Sequence, residues 1–199
     1  MSLGIAFILT AFVACDNGTG PGGGEDDPPK TYALGDTGPG GGKIFYVSEA
    51  GFTMTDNNQV CHYLEAAPSD MSTTLLWATS SYELTNISGT GTAIGTGRKN
   101  TALILATDSA APAALACKDL TTGGKNDWFL PSKDELNALH TNRSRVENLS
   151  TNYYWSSSQS SYSSQLGHEY AWHQLFSDGY QGNEGGKYTN GSVRAVRAF

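Results

Sequence analysis

The run Asp127-Trp128-Phe129-Leu130-Pro131-Ser132-Lys133-Asp134-Glu135-Leu136 leaves this chain few ways to fold. An apolar strand end, Trp128 to Leu130, stops at Pro131, and Ser132 follows at a helix N-cap position with Glu135 at N3. In such a capping box each side chain satisfies the other residue's orphan backbone N–H. Asp134 and Glu135 also put negative charge where the helix dipole favours it. Leu136 and Leu139 share the helix's inner face, with Trp128 and Phe129 expected to pack nearby. A strand must run directly into a helix here, which already implies mixed α and β structure. Every residue in the block has a folding reason, so no chemistry is assigned to it.

Around it the punctuation is that of one domain, which 199 residues can fill with a sizeable core. Lys43 to Ser48 reads as a strand delivered by the turn Gly38-Pro39-Gly40-Gly41-Gly42. Cys61 to Ala67 and Leu75 to Thr79 are further predicted strands, separated by a Pro68-Ser69-Asp70 turn. A short helix is expected from Asn100 or Thr101 through Thr107. Another is expected from Ser109 to Leu120, with Pro112 in its first turn and Gly123-Gly124 beyond its end. Ala113, Ala116, Cys117 and Leu120 share a face of that helix, so Cys117 should point inward. Strands Tyr153 to Ser158 and Tyr170 to Phe176, a Ser177-Asp178-Gly179 turn and a closing strand Val193 to Phe199 complete the pattern.

The N-terminus reads as an export signal. Leu3 to Ala14 is apolar, shorter than the roughly 20 residues that span a bilayer and of the length of a signal-peptide core. Met1 to Gly4 carries no Lys or Arg, a departure from the usual charged start. Phe12-Val13-Ala14-Cys15 resembles a bacterial lipobox, which would make Cys15 a lipidated residue. Asp16 to Lys30 is rich in Gly, Pro and acid, as a flexible tether is. The expected organisation is a signal peptide at 1–14, a lipidated Cys with tether at 15–30, and one ligand-binding domain at 31–199. Cys61 and Cys117 are then an even pair in an oxidising compartment, expected either as a disulfide or as two buried thiols. The expected place is the bacterial cell envelope, lipid-anchored on the outer surface, with the membrane as a partner through Cys15. A net charge of -7 excludes the broad basic surface that nucleic acid requires.

From Ser156 to Ser192 more than half the residues are Ser, Tyr, Gly or Asn. That is the palette of paratopes, in which Tyr supplies rigid contact area and the small polar residues adapt. Trp172, Gln174, Phe176, Gly179, Gln181 and Lys187 read as a frame. Between them sit His173, Leu175, Ser177, Asp178, Tyr180, Gly182, Asn183, Tyr188, Thr189 and Asn190, with no period that a buried face would impose. A contact surface is expected at His168 to Ser192, its aromatic anchors Tyr162, Tyr170, Tyr180 and Tyr188. His168, His173, Leu175, Ser177, Asp178, Asn183, Thr189 and Asn190 are the expected adaptable contacts.

Several ordered blocks carry a resemblance. Ala33 to Tyr46, Tyr63 to Asp70, Gly91 to Gly97, Asp127 to Leu136, Tyr154 to Ser158 and the Val193 to Phe199 ending resemble a domain of unknown function common in bacterial lipoproteins. The same domain type closes some collagen-like adhesins. The resemblance implies an α+β fold of the C-type-lectin-like kind, as in formylglycine-generating enzymes, with a small twisted antiparallel sheet and two main helices. The C-terminal block is also similar to the variable region of proteins diversified by bacterial retroelements, which mutate the first two bases of template Asn codons. Those changes cannot produce Glu, Lys, Gln, Trp or Met. The filling from His173 to Ser192 obeys that rule except at Glu184, while forbidden types stand at the frame positions Trp172, Gln174, Gln181 and Lys187. The implied partner is a protein or glycan ligand, with an undiversified adhesin or envelope module as the alternative.

Catalysis finds little footing. Oxidase chemistry of the formylglycine-generating kind would need reactive Cys residues near the C-terminal region, and Cys61 and Cys117 lie outside it. His168, Glu169 and His173 miss the helical spacing of a zinc site. No Asp, Asn and Glu cluster has calcium-loop spacing, and no nucleophile elbow is present. No enzyme activity, metal or cofactor is expected.

Overall fold

The computed structural model describes residues 30–161 and 168–199. Its elements are β1 (Lys43–Thr53), β2 (Val60–Ala66), β3 (Ser72–Leu75), α1 (Gly97–Thr107), α2 (Pro112–Lys118), α3 (Lys133–Thr141), a 3-10 turn (Arg143–Arg145), β4 (Tyr153–Gln159), β5 (Tyr170–Leu175), β6 (Gln181–Gly186), β7 (Gly191–Val193) and β8 (Val196–Ala198). The strands form a three-stranded sheet, β1-β2-β8, and a five-stranded sheet, β3-β7-β4-β5-β6. Where one small antiparallel sheet and two main helices were expected, the described residues form two sheets and three helices. The larger sheet is mixed, because β4 runs parallel to β7.

The capping box forms as read. Ser132 accepts from the Glu135 N–H, and Glu135 Oε2 accepts from the Ser132 N–H at 2.7 Å. Its other oxygen accepts the backbone N–H groups of Gly95 (2.8 Å) and Gly97 (3.4 Å). One buried carboxylate thereby caps two helices, which is why α1 begins at Gly97 rather than at Asn100 or Thr101. Gly97 is required there, since a Cβ would stand 2.8 Å from the Ser132 nitrogen and against Glu135 itself. The predicted strand Leu75 to Thr79 is not formed beyond Leu75. Past that point Trp77 donates its indole N–H to Ser156 O at 2.8 Å, and Asp108 captures the Thr79 N–H at 2.7 Å.

The closing strand is divided. Val193 belongs to the larger sheet and Val196 to the smaller, with Arg194 and Ala195 crossing between them. Both arginines of this segment are buried. Arg194 donates to Asp70 at 2.7 Å and to the carbonyls of Ala67, Glu147 and Asn148. Arg197 makes a two-pronged contact with Asp127 (2.8 and 3.1 Å) and reaches Glu65 at 3.3 Å. Glu65 in turn accepts from the N–H groups of Gly40 and Gly42, so it anchors the glycine turn that precedes β1.

Two apolar cores flank this crossing. Ile44, Leu64, Phe129, Leu136, Leu139, Tyr154, Phe176 and Phe199 belong to the first. Trp77, Ile104, Ala113, Cys117, Trp128, Leu130, Trp155 and Val193 belong to the second. Adjacent Tyr154 and Trp155 serve different cores because successive strand side chains point to opposite faces. Cys61 lies in the first core and Cys117 in the second, where Cys117 is a free, fully buried thiol. The expected Cys61 to Cys117 disulfide is therefore not formed: turning Cys117 inward placed it against Ala113 and Trp128 rather than Cys61. Burial pushes its thiol well above its ordinary pKa, which leaves it unreactive. Among the described residues no helix is long and apolar enough to cross a membrane.

Candidate functional site

The larger sheet has one face packed on α3 and another that is partly open. On the packed face, Gln174 is buried and donates to Asn137 at 3.0 Å, and Gln181 reaches Lys133 O at 3.3 Å. Lys133 lies over the Trp172 ring at 4.7 Å, and, elsewhere, Lys187 lies over Trp77 at 4.8 Å. The residues read as frame thus have structural partners.

The other face is set by register. Trp155 pairs with His173 and His173 with Gly182, while Tyr153 pairs with Leu175. Paired residues share a sheet face, so Tyr153, Trp155, His173 and Leu175 line one surface with Gly182 beside them. Tyr153 meets His173 edge to face at a centroid distance of 4.9 Å, and Tyr180 stands 6.5 Å from His173. Trp155 closes the inner end, 6.1 Å from the imidazole. Glycines make room for this packing. A Cβ on Gly182 would stand 2.6 Å from His173 Cε1 and 2.9 Å from Glu184 Oε1, and one on Gly185 would meet both His173 and, at 2.7 Å, Trp155. His173 and Glu184 therefore converge over Gly182.

Glu184 is held in place from two sides. Tyr180 donates its hydroxyl to Oε1 at 2.9 Å, and the Asn183 N–H donates to Oε2 at 2.8 Å. Burial works to raise its pKa, but these hydrogen bonds win and hold the carboxyl below the usual value. Tyr180 is correspondingly raised by its bond to the carboxylate. Burial lowers the His173 pKa, opposed by the charge of Glu184. At neutral pH the face therefore carries a carboxylate, an uncharged imidazole and two exposed tyrosines. An NMR titration of His173 is expected to give a midpoint below 6.5, the ordinary value. In Glu184→Gln it is expected to fall further, because the charge favouring the imidazolium is gone.

The expected contact residues do not all meet here. Tyr180, His173, Leu175 and Asn183 belong to this face or its rim, with Ser177 and Asp178 exposed in the adjoining turn. Asp178 accepts the Tyr180 N–H at 2.9 Å. Tyr188, Thr189 and Asn190 are exposed at the far end of β6, where the Tyr188 ring lies over Gly186, the partner of Tyr170. His168 and Tyr170 are half-buried near that end. Tyr162, like Cys15, lies outside the described residues. Sequence reasoning missed Tyr153 and Glu184. The first could have been found from strand alternation, since Tyr153 and Trp155 must share a face; the second was set aside as the exception to a codon rule. A cleft of about 540 Å³ lies elsewhere, between the segment 143–151 and Phe176.

Fold and site together define a two-sheet α+β domain that presents an open aromatic sheet face. The chain belongs to the Lcl C-terminal domain family, whose model matches residues 67–197. That span includes the whole five-stranded sheet and all three helices, and leaves out β1 and β2. No curated protein matches this sequence.

Proposed function

We propose that this protein is a lipid-anchored, surface-displayed binding protein that holds a protein or glycan ligand on the face formed by Tyr153, His173, Tyr180 and Glu184. The domain is of the C-type-lectin-like kind, carried on the tether at 15–30 and anchored through Cys15 at the outer surface of the cell envelope. It acts by binding, with no catalytic group and no cofactor. The observation that carries this reading is the convergence of three rings and a carboxylate on an open, glycine-floored sheet face, with Tyr153 45 % and Tyr180 51 % exposed. Large exposed aromatics on a rigid sheet are the anchors from which recognition surfaces draw most of their affinity.

Diversification by a retroelement is part of the proposal. Ser177, Asp178, Tyr180, Tyr188, Thr189 and Asn190, all filling positions, are exposed, whereas Gln174 and Lys187 of the frame are buried. Glu184 at the centre of the face favours a second reading, an undiversified adhesin module, because the codon rule cannot produce Glu. Sequencing the DNA around the gene separates the two. A near-copy of the C-terminal coding segment, differing opposite template adenines and lying beside a reverse-transcriptase gene, is expected; its absence would leave the fixed module.

Binding itself is tested by screening glycans and extracellular proteins and comparing variants of the face. Tyr153→Ala and Tyr180→Ala are each expected to weaken a true ligand by about ten-fold, since truncating an anchor costs more than ~1 kcal/mol. A ligand bound equally well by both variants would remove this face from the account.

A further inference from the structure

Resting on the binding role proposed above, we infer that the group this face takes is cationic: a lysine or arginine side chain presented by a protein partner. The charge distribution is one-sided. Glu184 lies on the face and Asp178 is exposed in the adjoining turn, while the only Lys or Arg between Val146 and Val193 is Lys187, which is fully buried. The imidazole of His173 stays uncharged at neutral pH, for the reason given above. Among the described residues no Lys or Arg forms an ion pair with Glu184.

That carboxylate has capacity to spare. Tyr180 donates to one of its oxygens and Asn183 to the other. A carboxylate offers about four acceptor sites, so a guanidinium or ammonium finds lone pairs free. The rings supply the second half of the recognition. Tyr180 is bonded to Glu184 and Tyr153 packs on His173, so electron-rich rings surround the place where a cation would meet the carboxylate. Cation–π attraction then adds to the ion pair. A neutral sugar could stack on the same tyrosines but would make no use of the charge, and an anionic glycan would be repelled by it. The net charge of the whole chain, -7, works at longer range and favours the approach of a basic partner. In a diversified segment, Glu184 would also be the contact that variation cannot generate, so the feature it recognises would stay constant while its surroundings change.

The test uses the whole domain and three probes: a short fluorescent peptide carrying three lysines, the same peptide fully Nε-acetylated, and an array of neutral glycans. Acetylation removes the charge while keeping the chain. The lysine peptide is expected to bind, more weakly at high salt, and the acetylated peptide at least about ten-fold more weakly. Glu184→Gln and Tyr180→Ala are each expected to lose about two- to five-fold, the range of one exposed ion-pair or cation–π contact. Glu49→Gln, an exposed acid on β1, is expected to bind as the parent does; an equal loss there would reduce the effect to net charge and overturn the inference. Equal binding of both peptides would overturn it too. A glycan held through Tyr153 and Tyr180 but indifferent to Glu184→Gln would overturn the cationic ligand and leave the binding role intact. Binding of no probe that responds to Tyr153, Tyr180 or Glu184 would overturn both.

Discussion

Arg197→Met is expected to destabilise the domain by ~3–5 kcal/mol, because it strands a buried carboxylate. Arg197 is 1 % exposed and Glu65 0 %. Without the guanidinium, Glu65 keeps only the N–H groups of Gly40 and Gly42, and Asp127 loses both its hydrogen bonds. The loss should be read as a lower urea midpoint at unchanged slope. The double variant Arg197→Met, Glu65→Gln should recover part of it, since an amide is far less costly to bury unpaired than a carboxylate. A cost below ~1 kcal/mol would mean that water reaches Glu65 and that the pair does not hold β8 to β2.

Lys187 gives the second large effect, and it is a pH effect. Its side chain is fully buried, donating to Thr85 O at 2.8 Å and Gln159 Oε1 at 3.0 Å and lying over the Trp77 ring. These partners are neutral, and burial lowers its pKa from 10.5 to about 8. A lysine whose folded pKa is depressed binds its proton more weakly when folded than when unfolded. Stability contributed by this group is therefore absent below the folded pKa and rises as pH climbs from about 8 toward 10.5, by up to ~1.4 kcal/mol per pH unit. The rise should show in the difference between the unfolding free energies of the parent and Lys187→Met, which cancels the other groups titrating in that range. A flat difference would show that the ammonium keeps its charge in the fold.

Local signals were legible in the sequence and long-range ones were not. Ser132 and Glu135 announced α3, but not that Glu135 also holds the N-terminus of α1, thirty-eight residues earlier in the chain. Strand β6, Gln181–Gly186, was unreadable because Gly182, Gly185 and Gly186 have little strand preference of their own. It forms because its glycines let β5 side chains settle over it. Cys117 was correctly turned inward, yet nothing in its helix says that Cys61 faces a different core. The candidate site was read as a stretch of chain, so Tyr153 was missed and Tyr188 was grouped with residues at the other end of β6.

By itself the sequence determined what depends on neighbours three or four residues away: the strand that runs into a capped helix at 127–136 and the Pro at the start of α2. Only the tertiary structure decided which polar residues go inside and which rings stay out. Arg197 meets a carboxylate 132 positions away, and Tyr153 faces outward while Tyr154 is buried because the register of β4 against β5 places them so. A one-residue slip would exchange the two. Register and burial are fixed by contacts between distant segments, and no local preference encodes them.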